Sequence, residues 1–292
     1  MRGRPGSDSA AAVRYRSQVP YIQLAGSPML PGATPIEIYV RDHHAGAPGV
    51  PLLVLHGGWG YEFYPFDAQI AELTDRRIVI PDRTGYGKSP HLAALPPGFH
   101  HRAAAEHEAL LDALAIERCA IWGHSDGAVI AAIMALRRPA RVTAIILEAV
   151  HLDRAKPRSR SFFEAMAGEL KGFDPRVAAR LAADHGDDYW RTVVQDNGRA
   201  WLDIAATPDD DFYENRLGDI AAPVLVVHGV DDPRTEPGEL DRIARELPAA
   251  AIHWITGAGH APHSERGASA EVTRLGASFL RSLDPGKPGH RG

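Results

Sequence analysis

The 292-residue chain contains a single cysteine, Cys119. One thiol cannot close a disulfide within the chain, so no covalent staple holds the fold, and a cytoplasmic, reducing compartment is expected. Cys119 itself sits in an apolar stretch and reads as a core residue. The chain also lacks any run of 18 apolar residues, which excludes a transmembrane helix. Residues 1–19 are rich in Arg, Gly, Ser and Ala without the apolar stretch of a secretory signal, and are expected to be a disordered leader. Residues 284–292, dense in Pro and Gly, are expected to be a disordered tail. A net charge of −5 leaves no electrostatic footprint for nucleic acid or an anionic membrane. The pairs His43-His44 and His100-His101 have no Cys or carboxylate at metal-ligand spacing, so neither a metal nor a cofactor is expected. No internal repeat is present.

What the chain does have is an ordinary globular composition, 45% hydrophobic and 24% charged, at a length that suits one or two domains. Short apolar runs alternate with segments of helical periodicity. Strands are expected at Tyr21 to Leu24, Ile36 to Val40, Leu52 to Leu55, Arg77 to Ile80, Cys119 to Trp122, Val142 to Leu147, Val224 to Val227 and Ile252 to Ile255. Runs that are continuously apolar suit strands buried on both faces, so the fold class is α/β, a mostly parallel sheet with helices on both faces. In such a sheet the loops at the carboxyl ends of the strands form the ligand crevice. Between Leu147 and Val224 the alternation stops and several helical stretches follow, near Ser161 to Leu170, Arg176 to Ala183 and Tyr189 to Ile204. That length is too great for a loop and reads as a helical insertion over the crevice, its aromatics available to line a pocket or to pack it onto the sheet.

The chemistry converges on Gly123-His124-Ser125-Asp126-Gly127. This G-x-S-x-G lies between an apolar strand and an alanine-rich helix, the setting of a nucleophile elbow, in which a sharp turn exposes the serine. Side chains at positions 123 and 127 would collide with the neighbouring strand or helix, which is why glycines stand there. A serine becomes nucleophilic when a base takes its proton, and that base needs an orienting carboxylate. Two later loops at strand ends supply both types. His228-Gly229-Val230-Asp231-Asp232-Pro233 brings two carboxylates, and Thr256-Gly257-Ala258-Gly259-His260-Ala261-Pro262-His263 brings two histidines.

With these motifs in the order serine, acid, histidine, the chain from about Ile36 to Leu283 resembles the α/β-hydrolase superfamily. The resemblance implies an eight-stranded sheet, with residues 20–149 and 221–283 as the hydrolase core and 150–220 as a helical cap. The family's acid position falls on Asp232, with Asp231 as the fallback. Its G-x-G-H-x-P pattern falls on Gly257, Gly259, His260 and Pro262 and marks His260 as the base, His263 being the alternative. The H-G-G-x-G loop falls on His56 to Gly60, and D-x-x-G-x-G-x-S on Asp82, Gly85, Gly87 and Ser89, where Asp82 and Arg83 read as organisers of the loop.

The implied activity is a serine hydrolase acting on a small carboxylic ester, thioester or activated amide, with Ser125, His260 and Asp232 as the triad. The oxyanion hole would use the backbone N–H groups of Asp126 and Gly58, with Trp59 as a possible contributor. Asp126 departs from the apolar residue many relatives carry. The Ser-Asp pair resembles valacyclovir hydrolase-like enzymes, which implies that the Asp126 side chain receives a substrate amine; the other reading is that it bonds the His56 loop or a residue of the cap. Trp59, His124, Trp190 and Trp201 complete the expected substrate-binding set. An aminopeptidase like proline iminopeptidase, an acyltransferase and a non-turnover small-molecule receptor are the alternatives. Epoxide hydrolase and dehalogenase chemistry is disfavoured, because those elbows carry an aspartate where Ser125 stands.

Overall fold

Continuous apolar runs become the interior strands of one sheet. The computed structural model describes residues 20–170 and 172–284. The expected leader, 1–19, and all of the expected tail but Asp284 lie outside the described residues. Asp284 belongs to the folded body instead, its carboxylate 2.7 Å from the guanidinium of buried Arg76.

The strands are β1 (Tyr21–Leu24), β2 (Ile36–His43), β3 (Gly49–Leu55), β4 (Arg76–Pro81), β5 (Cys119–His124), β6 (Val142–Glu148), β7 (Val224–Gly229) and β8 (Ala251–Ile255). They form an eight-stranded sheet in the spatial order β1-β2-β4-β3-β5-β6-β7-β8. β1 with β2 and β2 with β4 pair antiparallel; every other pairing is parallel. Burial follows position. β5 and β7, in the interior, are buried at every residue, whereas β2 alternates, with Ile36, Ile38 and Val40 inward and Glu37 exposed.

Successive residues of a strand serve opposite layers. Ile121 of β5 faces α2 (Phe99–Ala113) and α3 (Asp126–Arg137), in one core with Leu53, Leu110, Ile130 and Ile145. Its neighbour Trp122 faces α1 (Asp67–Glu72) and α8 (Ser269–Ser282), in the other core with Leu52, Ile146, Val272 and Leu280. A side chain at Gly276 of α8 would run into the Trp122 ring, so a glycine lets the indole lie flat under the helix. Truncating a fully buried residue such as Ile145 to alanine would cost about 2–5 kcal/mol.

Three helices, α4 (Arg160–Ala167), α5 (Pro175–His185) and α6 (Trp190–Ala205), intervene between β6 and β7, followed by a 3₁₀ turn at Leu217–Asp219. Asp174 caps α5 by accepting from the N–H groups of Arg176 and Val177, with Pro175 pre-set for the first turn. A Cβ at Gly198 would press on the backbone of α4, so α4 and α6 pack at close range. α6 runs over the carboxyl edge of the sheet, where the loops after β3, β5, β6, β7 and β8 meet. Among the described residues, no helix is long and apolar enough to cross a membrane.

Candidate active site

Ser125 joins β5 to α3 with φ 55° and ψ −120°, a conformation that costs a residue with a Cβ on the order of 1–3 kcal/mol. The turn is tight because two glycines let it be. A Cβ on Gly123 would enter the Gly127 carbonyl, and one on Gly127 the Leu55 carbonyl of β3. The Ser125 N–H donates to Glu148 O of β6 at 2.9 Å, pinning the bend, and the side chain points into a cleft at the sheet's carboxyl edge. Asp126 opens α3, so its N–H has no helical acceptor. Neither it nor the Gly58 N–H forms a hydrogen bond among the described residues. The Gly58 loop is held from below by Arg83, which donates to His56 O at 2.7 Å and Gly57 O at 3.1 Å.

Asp232 lies in the loop after β7, before α7 (Glu239–Glu246). One carboxylate oxygen accepts the Arg234 N–H at 2.9 Å and the other accepts His260 Nδ1–H at 2.8 Å. Burial works to raise this carboxyl, but the charge and hydrogen bond of His260 overcome it and hold Asp232 well below the usual carboxylate range. For His260 the balance goes the other way: burial and the nearby Arg234 guanidinium keep it below the ordinary imidazole value against the pull of Asp232. The imidazole is therefore neutral near pH 7, as a base must be. Its loop is fixed by Glu265, which accepts from the N–H groups of Gly259 (2.7 Å) and Ala261 (2.9 Å), and by His124 Nε2–H, 2.9 Å from His260 O. The two alternatives lie elsewhere. Asp231 is exposed, and His263 is sealed against Glu148, to which it donates through both its backbone N–H and Nδ1.

Ser125, Trp59, His124, Trp201, Gly58 and His260 all border the same cleft. Ser125 Oγ lies 3.5 Å from His151 Nε2, and among the described residues it makes no hydrogen bond to His260. His151 is a residue that sequence reasoning missed. It follows β6 by three positions, its carbonyl accepts from Tyr213 OH at 2.7 Å, and its ring stacks on that of His260 with centroids 5.7 Å apart. Tyr64, Asn197 and Arg234, also missed, complete the polar wall. Position at a strand's carboxyl end was the one available signal for His151; the others carry none.

Two expected substrate contacts do not reach the cleft. The Asp126 carboxylate is fully covered: His100 Nε2–H (3.0 Å) and Trp201 Nε1–H (3.1 Å) donate to one oxygen, and Asn197 Nδ2 (2.9 Å) to the other, with Arg83 3.7 Å away. Burial works to raise it, and these donors, His100 first, hold it below the usual range. No room remains for a substrate amine, and α6 takes the place foreseen for it. Trp190 packs at the far end of α6 with Leu181 and Val194, because eleven residues of helix separate it from Trp201, about 16 Å along the axis.

Residues 52–272 match the alpha/beta hydrolase family. The sn-1-specific diacylglycerol lipase ABHD11 of Xenopus tropicalis is 25% identical over 252 residues, covering 77% of this chain and 76% of that protein. The serine hydrolase BPHL of Mus musculus is 24% identical over 251 residues, 84% of each. A solved structure, the thermophilic esterase from Thermogutta terrifontis, has the same fold, with TM-score 0.69 at 24% identity over 90% of this chain and 98% of that one. The strand order, the elbow and the extent of the family match lead to one conclusion: the chain belongs to the alpha/beta hydrolase family and is an enzyme, a hydrolase.

Proposed function

We propose that the protein is a serine hydrolase that cleaves a small carboxylic ester through an acyl-enzyme on Ser125. The observation that carries this reading is the His260 imidazole, oriented by Asp232 at 2.8 Å and sharing a cleft with the strained Ser125. His260 Nε2 takes the Ser125 proton as Oγ attacks the carbonyl. Charge gathers on the carbonyl oxygen, and the unpartnered N–H groups of Gly58 and Asp126 receive it, each worth about 2.7–4 kcal/mol at the transition state. The imidazolium then protonates the leaving alcohol. Water, activated by the same His260, attacks the acyl carbon and releases acid and free serine. The Ser125–His260 hydrogen bond closes on substrate binding, as such contacts tighten in the Michaelis complex.

Helices α4–α6 act as a cap in this reading. The cleft beneath them is narrow, with about 20 Å³ of free space between Ser125, His260 and the cap, so a substrate is admitted as the cap gives way. The amine-directed role of Asp126 is not carried forward, since its carboxylate is spent on the protein itself. The test is reaction with a fluorophosphonate read by intact mass, with p-nitrophenyl acetate turnover followed in parallel. One label per chain, lost together with turnover in Ser125→Ala, supports the reading. An unlabelled, folded wild-type protein overturns it.

A further inference from the structure

Arg234 contributes a cation to the cleft. Its guanidinium stacks 4.6 Å from the Phe162 ring centroid and 5.9 Å from that of Trp59, both cleft residues. It forms no hydrogen bond or ion pair with any described residue. The backbone around it is occupied, the N–H by Asp232 and the carbonyl by Lys156, so the residue is fixed while its head group is left open. No aspartate or glutamate lines the cleft among the described residues: Asp126 is sealed under α6, and Asp232 stands behind His260. A half-buried guanidinium lying over aromatic rings, with its donors unused, is the arrangement that takes a carboxylate in a bidentate pair.

We propose that Arg234 selects substrates carrying a carboxylate near the scissile bond, making the preferred substrate a half-ester of a dicarboxylic acid or an ester of a carboxylated alcohol or phenol. The lining explains the sign: it bears the Arg234 guanidinium and, among the described residues, no carboxylate, so an anion finds an unpaired partner there. This assignment rests on the serine hydrolase reading for turnover and stands apart from it for binding.

The experiment therefore has a binding arm and a kinetic arm. In the first, monomethyl glutarate and its neutral counterpart dimethyl glutarate are titrated calorimetrically into Ser125→Ala protein. The monoester binds about 10- to 100-fold tighter, the range for a charge-assisted hydrogen-bonded pair. The difference disappears in Ser125→Ala/Arg234→Met, where a stem of similar length keeps the ring contacts, and is partly kept with Arg234→Lys. Equal affinity for the two esters, or a difference that survives Arg234→Met, overturns the proposal. In the kinetic arm, kcat/KM is compared for monomethyl against dimethyl glutarate, acyl-side carboxylate, and for 4-acetoxybenzoate against phenyl acetate, leaving-group carboxylate. At least one pair favours the anion by about tenfold, through KM, and loses that preference in Arg234→Met. A wild-type enzyme that turns over all four without preference overturns the proposal and leaves the hydrolase reading intact. Tight, Arg234-dependent binding without turnover of any ester does the reverse.

Discussion

Among the described residues, two buried aspartate–histidine pairs have hydrogen bonds of nearly equal length, Asp232–His260 at 2.8 Å and Asp126–His100 at 3.0 Å. Both carboxylates are held ionised against burial, and both imidazoles sit below their ordinary value. They differ in what surrounds them. His260 presents its remaining nitrogen to a cleft that also contains Ser125, while His100 is walled in by Phe99, Trp201 and Phe212. Asp232 accepts from His260 and one backbone N–H, with His228 Nε2 3.5 Å away; Asp126 gathers donors from α2 and from the inserted α6. The pairing itself therefore carries no chemistry. Access decides which pair can move a proton and which one holds two layers together.

The most severe way to break the comparison is to strike the open pair. Asp232→Asn is expected to lower kcat on p-nitrophenyl acetate by about 10⁴-fold, since the imidazole loses its tautomer and its counter-charge, while the melting temperature moves little. Asp126→Ala is expected to show the opposite profile. It leaves Arg83, His100, Asn197 and Trp201 facing a missing acceptor, and the cost in unfolding free energy by urea titration should be about 3–5 kcal/mol. If Asp126→Ala proves as stable as wild type, the sealed pair does not hold the layers together.

Titration separates the two pairs further. His260 lies below the ordinary imidazole value, so the acid limb of kcat/KM should have its midpoint below that of a free imidazole. Removing the nearby charge with Arg234→Met should shift that acid limb upward. Stability should respond to other histidines. Burial lowers His107 to about 3 and His185 and His228 to about 4. The native chain keeps them uncharged where the unfolded chain, titrating near 6.5, binds protons, so stability is full above that value and is lost as pH falls toward 4. Thermal melts between pH 7.5 and 4.5 measure this. The smallest effect expected is that of Trp201→Phe, which removes one of three donors to Asp126 and should cost about 1 kcal/mol by urea titration.

What could be read in advance follows the range of the forces involved. The elbow was legible because its constraint is local: Gly123, Ser125 and Gly127 meet one strand and one helix, and any side chain at the glycines collides with backbone. The interior strands were legible because continuous apolar runs have few other uses, and the expected limits of all eight strands fall within three residues of the observed ones. The orientation of Asp126 was not, because Asn197, 71 positions later, decides it. Trp190 and Trp201 share one helix and similar surroundings in the sequence, yet where α6 crosses the sheet edge sends one to the cleft and the other to a separate apolar cluster. Arg234 follows the acid by two residues and looks like any loop arginine. Its guanidinium pairs with no described side chain, and no described carboxylate lines the cleft it enters; that is what sets it apart.

The covered Asp126 also constrains how a ligand gets in. Asn197 and Trp201 fasten α6 to Asp126 at the start of α3, and Asn197 lies against Gly58, so lifting α6 would strip donors from a buried anion and disturb the Gly58 loop. That side of the cleft is the fixed jamb of a doorway. Across the cleft, Phe162 and Trp59 meet Arg234 through their rings, and α4, which carries Phe162, is itself packed on α6.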